Sequence, residues 1–461
     1  MIELLRRGAQ ADPARPAVVT HDEVVTYGEL LARAEATAAG LQERGISRVG
    51  TLEGSAATVV AVLAGASVAG VEVCQYPPAE PEGAGELAER FDHELVLTTD
   101  PAVRPGSAVL LDPAALAESG TPEAAAPLPA ARPHLVLTTG TTGAPKGVRH
   151  DWTRLVRSVS RVQPAPDQRW LLAYGLHQFA GLQVLLHVLA SGATLVAPVP
   201  RRPREGLRAM RELDVTHASA TPTYWRFLLN ELRADGGPTP RLRQITLGGE
   251  AIPGPLLPQL TETFPDASVS QVYAASEFGS SGSVKDRRPG LSTSVLDRGE
   301  DADVAMKVVD GELWVRSRTG MLGYYGEPPV EDPDGWRPTG DLVEVVDDRL
   351  EFRGRSSEVI NVGGVKVHPL PVEELISRVP GVALARVWGR PNAMTGSIVA
   401  ADVVLTPEAD RTAVRDAVRA ACEHLVPASR PRSVRFVDEI ETRGDKIVRK
   451  DNNSDNNQEG S

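Results

Sequence analysis

The order of elements along the chain predicts an α/β fold: a large multi-subdomain N-terminal α/β domain with a β-rich piece, followed by a small α+β C-terminal domain. Three observations carry that prediction. Helical and strand patterns alternate from the N-terminus to about Leu247, which favours parallel α/β layers. Short strand-like runs, Gly311-Glu312-Leu313-Trp314-Val315 and Leu350-Glu351-Phe352, then replace the alternation with a β-rich piece. Beyond Gly354 a compact mixture of helix and strand begins. A chain of 461 residues also exceeds one ordinary core. The expected division is 1–354 for the large domain and 355–450 for the small one.

Thr26-Tyr27-Gly28-Glu29-Leu30 opens a helix whose Leu31, Ala34, Ala38 and Leu41 share a stripe. Ala56 to Val71 reads as a buried helix running into a strand, being rich in Ala and Gly and shorter than a membrane span. Leu95 to Thr98 follows as a strand, and Pro105 to Arg132, dense in Ala, Pro and Gly, as a connecting loop. His134 to Leu137 is the next strand, after which Asp151 caps a helix bearing Trp152, Leu155, Val156 and Val159 on one face. The alternation continues through Leu171 to Tyr174, Leu182 to Leu189, Thr194 to Ala197, Tyr224 to Leu232 and Gln244 to Leu247. In the small domain Val372, Leu375, Ile376 and Val379 fall at helical spacing, Ala385 to Trp388 and Ile398 to Leu405 read as strands, and a helix surrounds Val414 and Val418. Residues 451–461, DNNSDNNQEGS, contain no apolar side chain and are expected to be a disordered tail.

With 41% hydrophobic and 24% charged residues the composition is that of a globular protein. A net charge of -12 argues against a nucleic-acid partner, which calls for a basic face. Cys74 and Cys422 match neither a disulfide framework nor a metal-ligand spacing, and the N-terminus MIELLRRGAQ lacks the apolar core of a secretory signal. The expectation is a cytoplasmic protein with no membrane span.

The densest signal for chemistry is Leu137 to Val148, LTTGTTGAPKGV. Gly140, Gly143 and Gly147 let backbone amides approach an anion; Thr138, Thr139, Thr141 and Thr142 add hydroxyl donors, and Lys146 adds a mobile charge. Gly147 follows Lys146 where a Walker A loop needs Ser or Thr, so the loop is a different phosphate cradle. Further along come Gly248-Gly249-Glu250 at a strand end, Gln271-Val272-Tyr273-Ala274-Ala275-Ser276-Glu277, and Thr339-Gly340-Asp341. The last two constellations are Phe352 to Val367, with Arg355, Ser357, Gly363 and Gly364, and Thr442-Arg443-Gly444-Asp445-Lys446-Ile447-Val448-Arg449.

These elements, in this order across residues 20 to 450, resemble the adenylate-forming superfamily of acyl- and aryl-CoA synthetases, carrier-protein adenylation domains and firefly-type luciferases, with the pattern closest to CoA ligases. The resemblance implies ATP-dependent activation of a carboxylic acid as an acyl adenylate, with Mg²⁺, and then transfer to CoA or to the phosphopantetheine of a carrier protein acting in trans. It implies that residues 138–146 hold phosphate, that Tyr273 packs on adenine beside Gly249, Glu250 and Ser276, and that Glu277 binds Mg²⁺. Asp341 would accept the ribose hydroxyls and Arg355 would contact the nucleotide. Lys446, with Glu277 and Thr142, would act in catalysis. Ser357 would be the hinge of a mobile C-terminal domain, and Gly363 and Gly364 would border the pantetheine channel. His177 and Gln178, in Tyr174-Gly175-Leu176-His177-Gln178-Phe179, resemble the acid-pocket wall of aryl-acid relatives, with Gly248 and Ala274 nearby; a small or aromatic acid is expected.

Four positions depart from the family pattern: Ala274 for glycine, Ser276 for threonine, Ser357 for aspartate or lysine, and Asp445 for glycine. They leave room for a nucleotide-binding regulatory protein without catalysis, while within the resemblance a carrier-loading enzyme and a member that activates an unusual acid such as nitrite to join two nitrogens stand beside the CoA ligase.

Overall fold

Strand pairing divides the molecule into two large sheets and three smaller ones. The computed structural model describes residues 1–77, 83–120, 127–138, 145–198, 200–299, 302–328, 335–443 and 446–447, with the backbone alone at 442, 443 and 446. In the first large sheet eight strands run in the order Gly279–Val284, Ser268–Ala275, Gln244–Gly248, His217–Ala220, Arg169–Leu172, Thr194–Val196, Pro16–Val19 and Val24–Thr26. Every inner pairing is parallel and only the two outermost are antiparallel. The second sheet has seven strands, ordered Gly323–Tyr324, Lys146–Asp151, Pro133–Thr138, Glu72–Gln75, Arg48–Thr51, Leu95–Leu97 and Val109–Leu111. It is antiparallel only at the Lys146 end.

The helices Tyr27–Glu43, Ala56–Ala69 and Phe179–Ser191 share one apolar core with strands of both sheets. Ala56–Ala69 is buried over most of its surface, as its all-round apolar composition requires. A Cβ on its Gly65 would come within 2.7 Å of the Ala34 carbonyl, so the glycine sets how closely it packs on Tyr27–Glu43. Thr26 and Glu29 form a reciprocal capping box at the start of that second helix, satisfying donors the helix leaves unpaired.

The β-rich piece is a five-stranded antiparallel sheet ordered Leu291–Ser292, Arg349–Arg355, Arg337–Val346, Glu312–Ser317 and Val304–Val309. Past it, the long hairpin Val382–Asn392 and Gly396–Leu405 carries Ile360–Val362 and Ser433–Phe436 along Gly396–Leu405, and Val365–Val367 beyond Ile360–Val362. Helices Pro369–Ser377 and Arg411–Ala421 contribute Val372, Ile376, Val414 and Val418 to its core. The fold class expected from the sequence is the one observed.

Two local expectations need correction. Pro105 to Arg132 is not all loop: Val109–Leu111 extends the second sheet, and Pro113–Ser119 is a helix capped by Asp112. Leu116 drives that packing, being fully buried against the Tyr27–Glu43 layer. Val159 and Val379 lie beyond their helices, which end at Arg157 and Ser377, yet both stay buried. Among the described residues no helix is long and apolar enough to cross a membrane. The tail, 451–461, lies outside the described residues.

Candidate active site

Because the inner strands of the first sheet are parallel, their carboxyl ends deliver side chains to one edge, where open α/β sheets bind ligands. Gly248-Gly249-Glu250, Tyr273 to Glu277 and the Tyr174–Gln178 turn all leave from that edge. The strand Ser268–Ala275 turns back into Gly279–Val284 through a tight connection: Phe278 N–H meets the Ala275 carbonyl at 3.3 Å, and Gly279 takes φ 80°. Ser276 and Glu277 occupy this turn, half-buried, and Ala274 pairs with Ser280.

The five-stranded sheet closes over Tyr273. Its hydroxyl donates to Asp341 Oδ2 at 2.6 Å, and its ring stacks on Phe352 with centroids 5.1 Å apart. Asp341 Oδ1 pairs with Arg355 Nε at 2.9 Å. Burial raises the Tyr273 pKa first, and the Asp341 carboxylate adds to it, so the phenol stays protonated as a donor. Burial opposes the charge on Arg355, but Asp341, Tyr273 and Glu277 hold its pKa above the ordinary value. Asp341 reaches this position because Gly340, at φ 76°, follows Thr339, whose hydroxyl accepts from Asp341 N–H at 3.0 Å and donates to the Leu313 carbonyl at 2.7 Å. Each Asp341 oxygen carries a second lone-pair site, so ribose hydroxyls can still be accepted.

A second cluster adjoins the first. Thr138 and Lys146 are register partners at the end of a hairpin, with the Thr138 hydroxyl 3.5 Å from the Lys146 carbonyl. Lys146 Nζ lies 5.1 Å from the centre of the Tyr324 ring, and the Tyr324 hydroxyl donates to Glu277 Oε1 at 3.2 Å. Burial and the neighbouring Glu277 raise the Tyr324 pKa. Tyr324 therefore bridges Lys146 and the Glu277 carboxylate, a contact the sequence reading missed; Gly323-Tyr324-Tyr325-Gly326 was its visible trace. Thr139, Gly140, Thr141, Thr142 and Gly143 lie outside the described residues. The Glu277 carboxylate near Lys146 fits Mg²⁺ as nucleotides carry it, with phosphate oxygens and water completing the shell.

At the Tyr174–Gln178 turn, Gln178 stands just before the helix Phe179–Ser191 and folds its Oε1 back to accept from Gly175 N–H at 2.9 Å. His177 packs so tightly on this turn that a Cβ on Gly175 would lie 2.2 Å from the imidazole. Burial, then the charge of Arg201, lowers the His177 pKa to about 4. The ring is neutral at physiological pH. Tyr174 ties the turn to the end of the strand Gln244–Gly248, its hydroxyl donating to the Gly248 carbonyl at 3.2 Å.

Glu250 lies past Gly249, which takes φ 85°. Its Oε2 accepts from Thr223 N–H at 3.1 Å and its Oε1 from Ile447 N–H at 3.2 Å. The hairpin of Thr442–Arg443 and Lys446–Ile447 therefore reaches the carboxyl edge of the first sheet. Ser357 is exposed in the single helical turn Ser356–Glu358, directly after the strand carrying Arg355. Gly363 and Gly364, at φ 57° and 87°, form an exposed turn bonded to Thr395 and Asn361.

Two family models match the chain: AMP-binding enzyme over residues 5–325 and the AMP-binding enzyme C-terminal domain over residues 371–445. The chain belongs to the AMP-binding enzyme family. Among curated family members, a 4-chlorobenzoate–CoA ligase of Arthrobacter sp is 27% identical over 88% of this chain and 85% of its own length. A 2-succinylbenzoate–CoA ligase of Bacillus licheniformis is 27% identical over 95% and 96%. The chain spans only 62% of an indenyl-propanoyl:CoA ligase of Mycobacterium tuberculosis, at 29% identity, and 33% of the phenyloxazoline synthase MbtB, at 28%. The anthranilate CoA ligase AuaEII, solved with anthranoyl-AMP, shares the fold of this AMP-binding enzyme with TM-score 0.85 at 20% identity, covering 97% of this chain and 95% of that one.

Proposed function

We propose that the chain couples ATP to a small or aromatic carboxylic acid, forming an acyl adenylate and pyrophosphate, and then transfers the acyl group to the thiol of CoA. The observation that carries this reading is the contiguity of the two clusters: Tyr273, Asp341 and Arg355 beside Glu277, Tyr324 and Lys146. The names of the relatives that act on 4-chlorobenzoate and 2-succinylbenzoate support an aryl acid. So does the neutral, half-buried imidazole of His177, which suits an uncharged ring better than a second anion.

In the first half-reaction a carboxylate oxygen attacks the α-phosphorus and the bond to the pyrophosphate oxygen breaks. Both reactants are anions, so the site must suppress their repulsion and hold them in line. Lys146 and the threonine-rich loop take the phosphates, Tyr273 and Asp341 the nucleoside, and Lys446 bridges the acid carboxylate and the α-phosphate. Mg²⁺, held by Glu277, would supply charge neutralisation on the triphosphate. In the second half-reaction the thiolate attacks the carbonyl carbon and AMP leaves. For this we propose that the C-terminal domain beyond Ser357 turns about that residue, withdrawing Lys446 and presenting Gly363 and Gly364 to the pantetheine.

A carrier-protein thiol is a second reading, supported by the fatty acid–[acyl-carrier-protein] ligase ScoC of Streptomyces coeruleorubidus, 27% identical over 94% of this chain. One experiment decides among acids and acceptors. ATP–pyrophosphate exchange is measured across benzoates, aliphatic acids and nitrite, followed by product analysis with CoA or a holo-carrier protein. Exchange driven by an aryl acid and a CoA thioester product are expected. Exchange with nitrite alone, or no exchange with any acid, would defeat the reading.

A further inference from the structure

Glu250 stands where the C-terminal domain meets the first sheet. One of its oxygens is held by Thr223 N–H, in the first turn of the helix Pro222–Asp235, and the other holds Ile447 N–H, one residue after Lys446. The same helix carries Arg226, whose guanidinium donates to the Ala383 carbonyl in the C-terminal hairpin. Burial lowers the Arg226 pKa, while Glu250 on one side and Glu373 on the other raise it. Glu373 is 5% exposed and belongs to the C-terminal helix Pro369–Ser377, where it also accepts from Val387 N–H at 2.8 Å. A half-buried cation thus feels carboxylates from both domains.

We propose that Glu250 is a positioning residue: its carboxylate, braced by the Thr223 amide and the Arg226 charge, docks the Lys446 hairpin for adenylation and lets it go when the C-terminal domain turns. The inference rests on Lys446 acting in adenylation, as read above. A charge-assisted N–H to carboxylate bond is stronger than a neutral one, and the donor is a backbone amide that water can satisfy once the hairpin leaves. Such a contact biases an equilibrium without locking it. It also gives Glu250 a task other than touching adenine.

The test uses the full chain with Glu250→Ala, Glu250→Gln, Lys446→Ala and the Glu250→Ala Lys446→Ala double variant. Trypsin cleavage after Arg443 and Lys446, followed by mass spectrometry, reads hairpin docking without any acid. Glu250→Ala should be cut about tenfold faster than wild type, with Glu250→Gln between them because its amide oxygen still accepts. With 4-chlorobenzoate and ATP, pyrophosphate exchange should fall about tenfold in kcat with little change in KM for ATP, while thioester formation from supplied 4-chlorobenzoyl-AMP and CoA is kept. The double variant should be no slower in exchange than Lys446→Ala, because the carboxylate acts through the lysine. Unchanged cleavage in Glu250→Ala, or equal loss of both half-reactions, overturns the proposal. If Lys446→Ala leaves exchange intact while Glu250→Ala frees the hairpin, the role of Lys446 fails and the docking contact stands. If wild type shows no exchange with any acid, the functional reading fails and the digestion still tests the contact.

Discussion

The Tyr273–Asp341–Arg355 cluster and the Lys446 hairpin are held in opposite ways. Tyr273, Asp341 and Arg355 come from three strands of two sheets and are joined side chain to side chain at 2.6 and 2.9 Å, with Phe352 stacked on the tyrosine. Among the described contacts, the hairpin gives Glu250 a backbone amide, that of Ile447. A ring locked by packing and ion pairing cannot move without breaking several contacts together. An amide on a carboxylate can exchange its partner for water. On the proposed reading, the part that would hold nucleotide is preorganised, whereas the part that would supply the reactive cation is held by a contact that water can replace.

Substitutions on each side sharpen that contrast. The largest effect is expected from Lys446→Ala: adenylation, read by pyrophosphate exchange, should fall about 10²–10³-fold, in line with the loss of one group that stabilises developing charge. Thioester formation from supplied adenylate should survive. Equal loss of both steps would mean that hairpin and nucleotide cluster work as one rigid site. Asp341→Asn comes next. It keeps the shape but removes the charge that pairs with Arg355, and KM for ATP should rise about tenfold to a hundredfold. Titration calorimetry with AMP would show the same loss. Tyr273→Phe is milder: the ring still stacks on Phe352, only the bond to Asp341 goes, and ATP binding should weaken by about 1 kcal/mol with kcat kept. A Tyr273→Phe variant that bound ATP as wild type does would show that the hydroxyl merely fills space.

Much of this organisation was legible in residue order. Parallel alternation, the β-rich insertion and the small C-terminal unit follow from period and composition, and Asp341 could be placed because Thr339-Gly340 makes the turn it needs. Tyr324 was not legible as a partner of Glu277, because the strand Gly323–Tyr324 joins the second sheet only through pairing with Lys146–Asp151, far away in sequence. Glu250 shows the same limit. A carboxylate after two glycines reads as a substrate contact, and its bond to Ile447, nearly two hundred residues later, exists only in three dimensions. Gln178 was expected to face the acid, yet one of its atoms is engaged by Gly175 N–H. Short-range turn chemistry competes with function for the same amide, and sequence alone does not arbitrate.

The domains should also part under mild acid, and near neutrality this is the smallest expected effect. Burial lowers the pKa of His177 and His93 to about 4 and of His134 and His150 to about 3, against an ordinary 6.5. Nearby arginines add to burial: Arg201 for His177, Arg48 for His93 and Arg154 for His150. All four histidines lie in the N-terminal domain. Each is neutral when folded but binds a proton when unfolded below pH 6.5, so the unfolded state takes up more protons and stability falls as pH drops from 6.5 towards 4. The loss is on the order of half a kcal/mol per histidine between pH 7 and 6, growing as the pH falls. In the C-terminal domain Asp402, paired with Arg386 and Arg435, has its pKa lowered instead, so its contribution persists until well below that window. Hydrogen exchange at pH 7 and 5.5, corrected for the intrinsic rate, should show protection lost in the strands around His134 and His150 and kept around Asp402. Uniform loss across both regions would mean that the two unfold as one unit, and the contrast between a fixed site and a detachable hairpin would then have to lie in local contacts alone.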